Sequence, residues 1–188
     1  MTIKRIFDIL LSVILILIFA IPFICIAIII KSESRGPSIF YSKRFGKNKN
    51  IFLMPKFRSM KVNTPQLATN LLNNSENYIT TFGIFLRKTS LDELPQLWSI
   101  LKGDMTFVGP RPALFNQYDL IDLRQKFGLN LLTPGLTGWA QINGRDQISL
   151  YKKVEIERFY QINQSIMLDL KILYLTFLKV IKMKDIKH

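Results

Sequence analysis

The apolar and polar positions divide this chain into unlike parts. From Ile9 to Ile30 there is no charge in 22 residues, and Ser12 is the most polar of them. As one straight helix that run reaches about 33 Å, enough to cross a hydrocarbon core of about 30 Å. It is longer than a signal-peptide core and has no A-x-A site at its end, so it is expected to be retained. Pro22 lies past its middle. Proline lacks an N–H and its ring clashes with the carbonyl of Ile18, which predicts a break in the helix at Ile21-Pro22. Further on, Ile39-Phe40-Tyr41 and Ile51-Phe52-Leu53 read as strands around a turn at Gly46-Lys47-Asn48-Lys49-Asn50, giving a β-hairpin over 38–60. Residues 63–77 are polar and Asn-rich and read as a loop with a short helix. Thr81 to Lys88 reads as a short helix. Leu91, Leu94, Leu97, Trp98 and Leu101 form a helical stripe that Gly103 closes, and Ser90 with Glu93 has capping-box spacing at its start. Pro95 sits oddly in that helix, one step beyond the first turn. Leu150–Ile162 and Ser165–Lys184 are two more predicted helices. The last is apolar at Ile166, Leu170, Leu173, Phe177 and Val180 and basic at Lys171, Lys179, Lys182 and Lys184. Two readings of it stand: an amphipathic helix lying in a membrane interface, or a core-packing helix with a solvated face. The predicted class is α+β and helix-rich, with an N-terminal helix-break-helix in the membrane, a small β-hairpin and interfacial amphipathic helices. Residues 1–30 are expected to form the membrane segment and 31–188 a single domain outside it.

Charge changes this picture in one respect. The net charge is +13, and from Lys31 to Lys61 there are nine Lys or Arg against one acid, Glu33. That block starts where the apolar run stops, which points to anionic lipid rather than nucleic acid as its partner. Lys4 and Arg5 precede the run, and Lys31, Arg35, Lys43 and Arg44 follow it. With both flanks basic, the positive-inside rule holds both on the cytoplasmic face. A re-entrant segment that bends at Pro22 and returns satisfies both flanks, and is favoured over a proline-kinked spanning helix.

The residue inventory then narrows the chemistry. The only cysteine is Cys25, inside the apolar run, and the only histidine is His188, the last residue. An intrachain disulfide, a cysteine zinc site and Ser-His or Cys-His nucleophile pairs are all excluded. Catalysis falls to carboxylates, Lys, Tyr or a bound metal. Asp92-Glu93 is the only adjacent acidic pair in the chain. At a helix start it is ionised, and it suits either capping alone, or a divalent cation and a nucleophile. Arg87 lies one turn upstream, Arg111 stands between Pro110 and Pro112, and Arg145 follows Asn143-Gly144. Guanidinium forks bind phosphate oxygens bidentately, and rigid mounting lowers the entropy lost. Lys56-Phe57-Arg58 adds a basic, aromatic stretch. The set fits phosphoryl transfer, in which positioning and charge neutralisation dominate, often with Mg²⁺.

The motifs in register extend this. Lys56-Phe57-Arg58-Ser59-Met60, Ser90-Leu91-Asp92-Glu93-Leu94-Pro95-Gln96, Leu101-Lys102-Gly103-Asp104-Met105, Gly109-Pro110-Arg111-Pro112, Pro134-Gly135-Leu136-Thr137-Gly138 and Gln141-Ile142-Asn143-Gly144-Arg145 follow one another as in the bacterial sugar transferases. The chain resembles the short form of these monotopic polyprenyl-phosphate phosphoglycosyl transferases over nearly its whole length. The resemblance implies transfer of a phospho-sugar from a UDP-sugar to undecaprenyl phosphate, with release of UMP. It implies that Asp92 attacks the β-phosphate and carries a covalent phospho-sugar, and that Glu93 assists by holding Mg²⁺ or handling a proton. Metal ligation by Asp92 and Glu93, and substrate-phosphate binding by Arg87, Arg111, Arg145, Lys56 and Arg58, are implied likewise. So are a re-entrant N-terminal segment broken at Pro22, a place on the cytoplasmic face of the bacterial inner membrane, and a first membrane step in surface-glycan synthesis (O-antigen, capsule or glycoprotein glycan). Short members often handle N-acetylated, deoxygenated sugars. One departure is that Ile21 stands where the family carries a serine before the proline, so no hydroxyl is available there for the freed backbone groups.

Two other functions fit less well. A glycosidase needs opposed carboxylates about 5–10 Å apart, whereas adjacent helical residues share one side of a site. A nucleic-acid binder needs a module or a run of stacking aromatics, and Lys56-Phe57-Arg58 is the one such patch.

Overall fold

The computed structural model describes residues 3–64, 78–144 and 148–181. Arg145, residues 65–77 of the Asn-rich stretch, and Lys182 and Lys184 fall outside them. The apolar run forms two helices, α1 (Ile3–Ile18) and α2 (Ala20–Glu33), bent by 62° at the break between them. No single described helix is long and apolar enough to cross a membrane; the bent pair together is. The break falls at Phe19, not at the predicted Ile21-Pro22. Pro22 is instead the third residue of α2. A first-turn residue needs no N–H partner, so the chain breaks early enough to place the proline where it costs nothing. Ile21 points outward and is 75% exposed, and Phe23 N donates to the Phe19 carbonyl at 2.8 Å to close the turn.

The helices of this pair differ. In α1 the polar residues Lys4, Arg5, Asp8 and Ser12 lie on one stripe, and Asp8 and Ser12 are buried, while Ile3, Ile6, Leu10, Ile14 and Leu17 are exposed on the other side. That stripe binds the rest of the protein. Asp8 accepts from the Thr106 hydroxyl at 2.8 Å and from Phe107 N at 3.1 Å. Lys4 donates to the Val108 carbonyl at 2.9 Å and to Tyr160 Oη at 3.1 Å, and pairs with Asp169. Arg5 donates to the carbonyls of Ile100 and Leu101, at the C-terminal end of a later helix, where a cation suits the helix dipole. At the far end of α2, Arg58 donates to the Ser34 and Arg35 carbonyls at 2.7 and 2.9 Å. Both outer ends of the pair therefore rest on the same domain.

The hairpin forms as expected. β1 (Ile39–Phe45) pairs antiparallel with β2 (Ile51–Phe57), from Ile39↔Phe57 to Phe45↔Ile51. Strand alternation puts Ser42 and Arg44 of β1 on the same face as Met54 and Lys56 of β2. α3 (Thr81–Thr89) follows, its Gly83 N donating at 3.0 Å to the Thr80 side chain. The next segment departs from expectation. Ser90 makes no side-chain cap bond; at φ 58° it ends α3 in the left-handed region. Leu91–Glu93 is a separate 3₁₀ turn, and α4 (Gln96–Lys102) begins only after Pro95, its N-cap. Asp92 and Glu93 thus precede the helix rather than occupying its first turn, and Pro95, outside the helix, breaks no backbone bond. Gly103 at φ 101° ends α4, as its position predicted.

β3 (Thr106–Val108) and β4 (Gly135–Thr137) form a parallel pair, separated in sequence by α5 (Tyr118–Lys126). A Cβ on Gly135 would sit 2.1 Å from Gly109 N, and one on Gly138 2.1 Å from the Gly109 carbonyl. The two glycines of the Pro134–Gly138 motif therefore let β4 lie against the Gly109–Pro112 loop. α6 (Trp139–Ile142), α7 (Leu150–Ile162) and α8 (Ile166–Ile181) follow, the last of the described elements. The main core joins Met54, Leu97, Ile100, Met105, Phe107, Val108, Tyr160 and Ile172, with Leu11 and Leu15 of α1 packed on it. α8 packs one side on the core, with Asp169 and Ile172 buried, while Met167, Leu170, Tyr174, Phe177 and Ile181 form an exposed apolar stripe on the other.

Candidate active site

The 3₁₀ turn at Leu91–Glu93 puts two adjacent carboxylates against the hairpin face that carries Lys56 and Arg44. Asp92 is buried. Lys56 Nζ lies 3.7 Å from Asp92 Oδ2 and 2.7 Å from Glu93 Oε1, so one ammonium serves both acids. Arg111 comes from the loop after β3 and donates to the same Glu93 Oε1 at 3.1 Å. Arg87, in the last turn of α3, donates its Nε to Ser59 Oγ at 3.0 Å, and its guanidinium feels the Asp92 charge. Arg44 donates to the Pro112 carbonyl at 3.1 Å and lies near both Arg111 and Glu93.

The electrostatics follow from burial and from these neighbours. Burial alone pushes the Glu93 carboxyl up. The charges and hydrogen bonds of Lys56 and Arg111 outweigh it and hold Glu93 well below the usual carboxylate range. Arg44 is pushed down to about 10, first by burial and then by Arg111, with Glu93 opposing. Arg87 is lowered by burial, with Asp92 opposing. Glu93 and Arg44 stay charged near neutral pH. Among the described residues the cluster therefore sets two carboxylates, Asp92 and Glu93, among four cations, Arg44, Lys56, Arg87 and Arg111. That surplus of positive charge suits an anionic ligand of two or more charges.

The predicted site residues are thus brought together unevenly. Asp92, Glu93, Lys56, Arg87 and Arg111 share one cluster. Arg58 does not join them: it is buried and donates to Ile30, Ser34 and Arg35 at the end of α2. These bonds tie it to the end of α2. Arg145 lies outside the described residues. Pro22 lies in α2, away from this cluster in sequence and one turn past the bend. Two further residues belong here, Arg44 and Ser59. Arg44 could have been found from strand alternation, since it shares a face with Lys56. Ser59 had no sequence signal beyond its place in Lys56-Phe57-Arg58-Ser59-Met60.

Among the described residues there is no group of three His, Cys, Asp or Glu fit to cage a metal. Mg²⁺ is usually held by one or two carboxylates completed by water and substrate phosphate. Asp92 and Glu93 fit that smaller demand, with Glu93 Oε1 already taken by Lys56 and Arg111.

A model of the family described as bacterial sugar transferase matches residues 1–183. The chain is 38% identical over 188 residues to an uncharacterized sugar transferase, EpsL, of Bacillus subtilis, covering 100% of this chain and 92% of that protein. It is 40% identical over 188 residues to a UDP-glucose:undecaprenyl-phosphate glucose-1-phosphate transferase of Escherichia coli, covering 94% of this chain and 39% of that protein. Over 179 residues it is 37% identical to a UDP-N-acetylgalactosamine-undecaprenyl-phosphate N-acetylgalactosaminephosphotransferase of Aeromonas hydrophila, covering 93% of this chain and 42% of that protein. The chain thus spans nearly all of the first relative and about two fifths of the other two.

Proposed function

The chain belongs to the bacterial sugar transferase family, and we propose that it transfers a phospho-sugar from a UDP-sugar to undecaprenyl phosphate with release of UMP. The observation that carries this reading is the pairing of a buried Asp92 with a cationic surround. Lys56 lies 3.7 Å from its Oδ2 and Arg87 is in electrostatic contact. In the first step a carboxylate oxygen of Asp92 attacks the β-phosphorus of the donor. The bond from that phosphorus to the bridging oxygen breaks, UMP leaves with the electron pair, and an aspartyl phospho-sugar ester remains. In the second step a phosphate oxygen of undecaprenyl phosphate attacks the same phosphorus, and Asp92 leaves as a free carboxylate. Lys56, Arg87 and Arg111 hold the diphosphate charge during both displacements, as does Arg145 in its motif. Glu93 acts as an ion, because its pKa is held too low for it to exchange a proton near neutral pH. Mg²⁺, when bound, supplies further neutralisation of the diphosphate, and Asp92 and Glu93 are the residues that would hold it.

Geometry also favours one membrane arrangement. Lys4, Arg5 and Asp8 tie the start of α1 to the domain, and Arg58 ties the end of α2 to it. A pair whose two ends rest on one domain enters and leaves the bilayer on the same face. The exposed apolar sides of α1 and α2 and the outer stripe of α8 are then the lipid-facing surfaces, with basic residues 31–61 near anionic headgroups. These contacts support our reading of the enzyme as monotopic, which we take to sit on the cytoplasmic face of the inner membrane at the first membrane step of a surface glycan. Cysteines introduced near residues 3 and 45 should be labelled from the same side of sealed vesicles; labelling from opposite sides means that the segment spans.

The reaction is tested by a UMP-release screen over a panel of UDP-sugars with undecaprenyl phosphate and Mg²⁺. Lipid-dependent release with at least one donor is expected. Liberation of free sugar without lipid would point instead to a hydrolase.

A further inference from the structure

Arg124 on α5 and Glu157 on α7 form a bidentate ion pair, Nε to Oε2 at 2.8 Å and NH2 to Oε1 at 2.6 Å. Their side chains are 10% and 2% exposed, deeper than any other ion pair among the described residues. A buried pair of this kind is poor evidence for stability, because desolvation offsets most of the attraction. What it does here is make a third contact. Arg124 NH2 also donates to the Arg111 carbonyl at 3.0 Å.

The position of that carbonyl gives the contact its meaning. Arg111 stands between two prolines, which have no N–H, so the loop can be held at 110 and 112 only through its carbonyls. Each carbonyl in turn has a donor from a different part of the fold. The Pro110 carbonyl accepts from Gly135 N at 2.9 Å, Arg111 from Arg124, Pro112 from Arg44 at 3.1 Å, and Ala113 from Phe45 N at 2.9 Å. β4, α5 and β1 thereby fix a backbone whose one long side chain reaches Glu93. A lysine at 124 would reach with a single ammonium, whereas the guanidinium fork serves Glu157 and the loop at once.

We propose that Arg124 and Glu157 are positioning residues for Arg111. Glu157 orients the Arg124 plane, Arg124 anchors the Arg111 carbonyl, and Arg111 meets the donor diphosphate with little freedom left to lose. This rests on the reading of Arg111 as a diphosphate-binding residue. The test is the double variant Arg124→Met/Glu157→Leu, which removes the pair without leaving a buried charge alone. Its Tm should stay within a few degrees of wild type. Its kcat/KM for the UDP-sugar should fall by about 10- to 100-fold, mainly through KM for the donor. In an Arg111→Ala background the same double change should cost little further, since the group it positions is gone. Arg124→Lys, which keeps the charge pairing, should give an intermediate loss and carries the test if the double variant does not fold. Wild-type kcat/KM in a folded pair variant overturns the proposal, as does a loss of equal size with and without Arg111. If Arg111→Ala itself leaves kcat/KM unchanged, the reading of Arg111 fails instead, and the two failures are told apart.

Discussion

The cluster beneath α1 and the cluster beside the hairpin use the same side-chain types to opposite ends. Under α1, Lys4 has three protein acceptors in Val108, Tyr160 and Asp169, and both carboxylate oxygens of Asp8 have protein donors. Charge is balanced within the fold. Tyr160 is pushed up by burial and by its hydrogen bond to Asp169, so its phenol stays protonated and donates. Beside the hairpin, four cations lie around Asp92 and Glu93 among the described residues. Positive charge there outnumbers negative among those residues. A buried polar cluster that closes on itself is scaffold, and one that stays positive waits for an anion.

Substitutions can break or sharpen that contrast. The largest effect is expected from Asp92→Asn, which keeps the volume and removes the nucleophile. UMP release should fall by about a thousandfold or more, with Tm unchanged or raised. Near-normal turnover of this variant would falsify the covalent route. Lys4→Met attacks the balanced cluster instead. It leaves Asp169 buried beside Tyr160 alone and should cost about 3 kcal/mol of stability in chemical denaturation. The remaining folded enzyme should keep kcat/KM near wild type, and a loss of turnover without loss of stability would erase the distinction between the clusters.

Glu93→Gln should act on pH dependence. The pKa of Glu93 is lowered in the folded state, so the stability it contributes is complete above its unfolded pKa of about 4.3 and is lost as pH falls through the folded value. Wild type should therefore lose stability more steeply below about pH 4 than the Gln variant, in denaturation followed from pH 6 to 3. Rate profiles between pH 6 and 8 should show no titration from this residue. The smallest effect is expected for Arg5→Met, which uncaps the end of α4 at a cost of about 1 kcal/mol and leaves the site's charge untouched.

Much of the architecture was legible along the chain, because its signals are local. The hairpin was marked by β-rich runs around a turn, and α7 was expected as a helix from Leu150 to Ile162. Gly103 marked a helix end because only glycine takes φ 101° without strain. The start of α4 was misread because Ser90-x-x-Glu93 mimics a capping box. Burial of Asp92 and Glu93 against β2 overrode it, and Ser90 ends the previous helix instead. Pro22 announced a break but not its place, since the proline is accommodated one turn after the bend.

Lys4 and Arg5 carry the general lesson. In sequence they count as flanking charge and bear on topology. In the structure they hold Val108, Asp169 and the end of α4, which ties the start of α1 to the rest of the fold. Likewise Lys56 and Arg58 are two residues apart and both basic. Only packing separates them, sending one to the carboxylates and the other to the carbonyls of α2. The sequence by itself determined the long apolar run and its break, the hairpin, several of the helices, the family and the acidic pair, because each depends on neighbours along the chain, whereas β3, α5 and β4 were not foreseen. Which cation meets Asp92 and Glu93, and which merely ties helices together, was decided by tertiary structure, because charge acts through distance in space and through burial, and neither is written in sequence spacing.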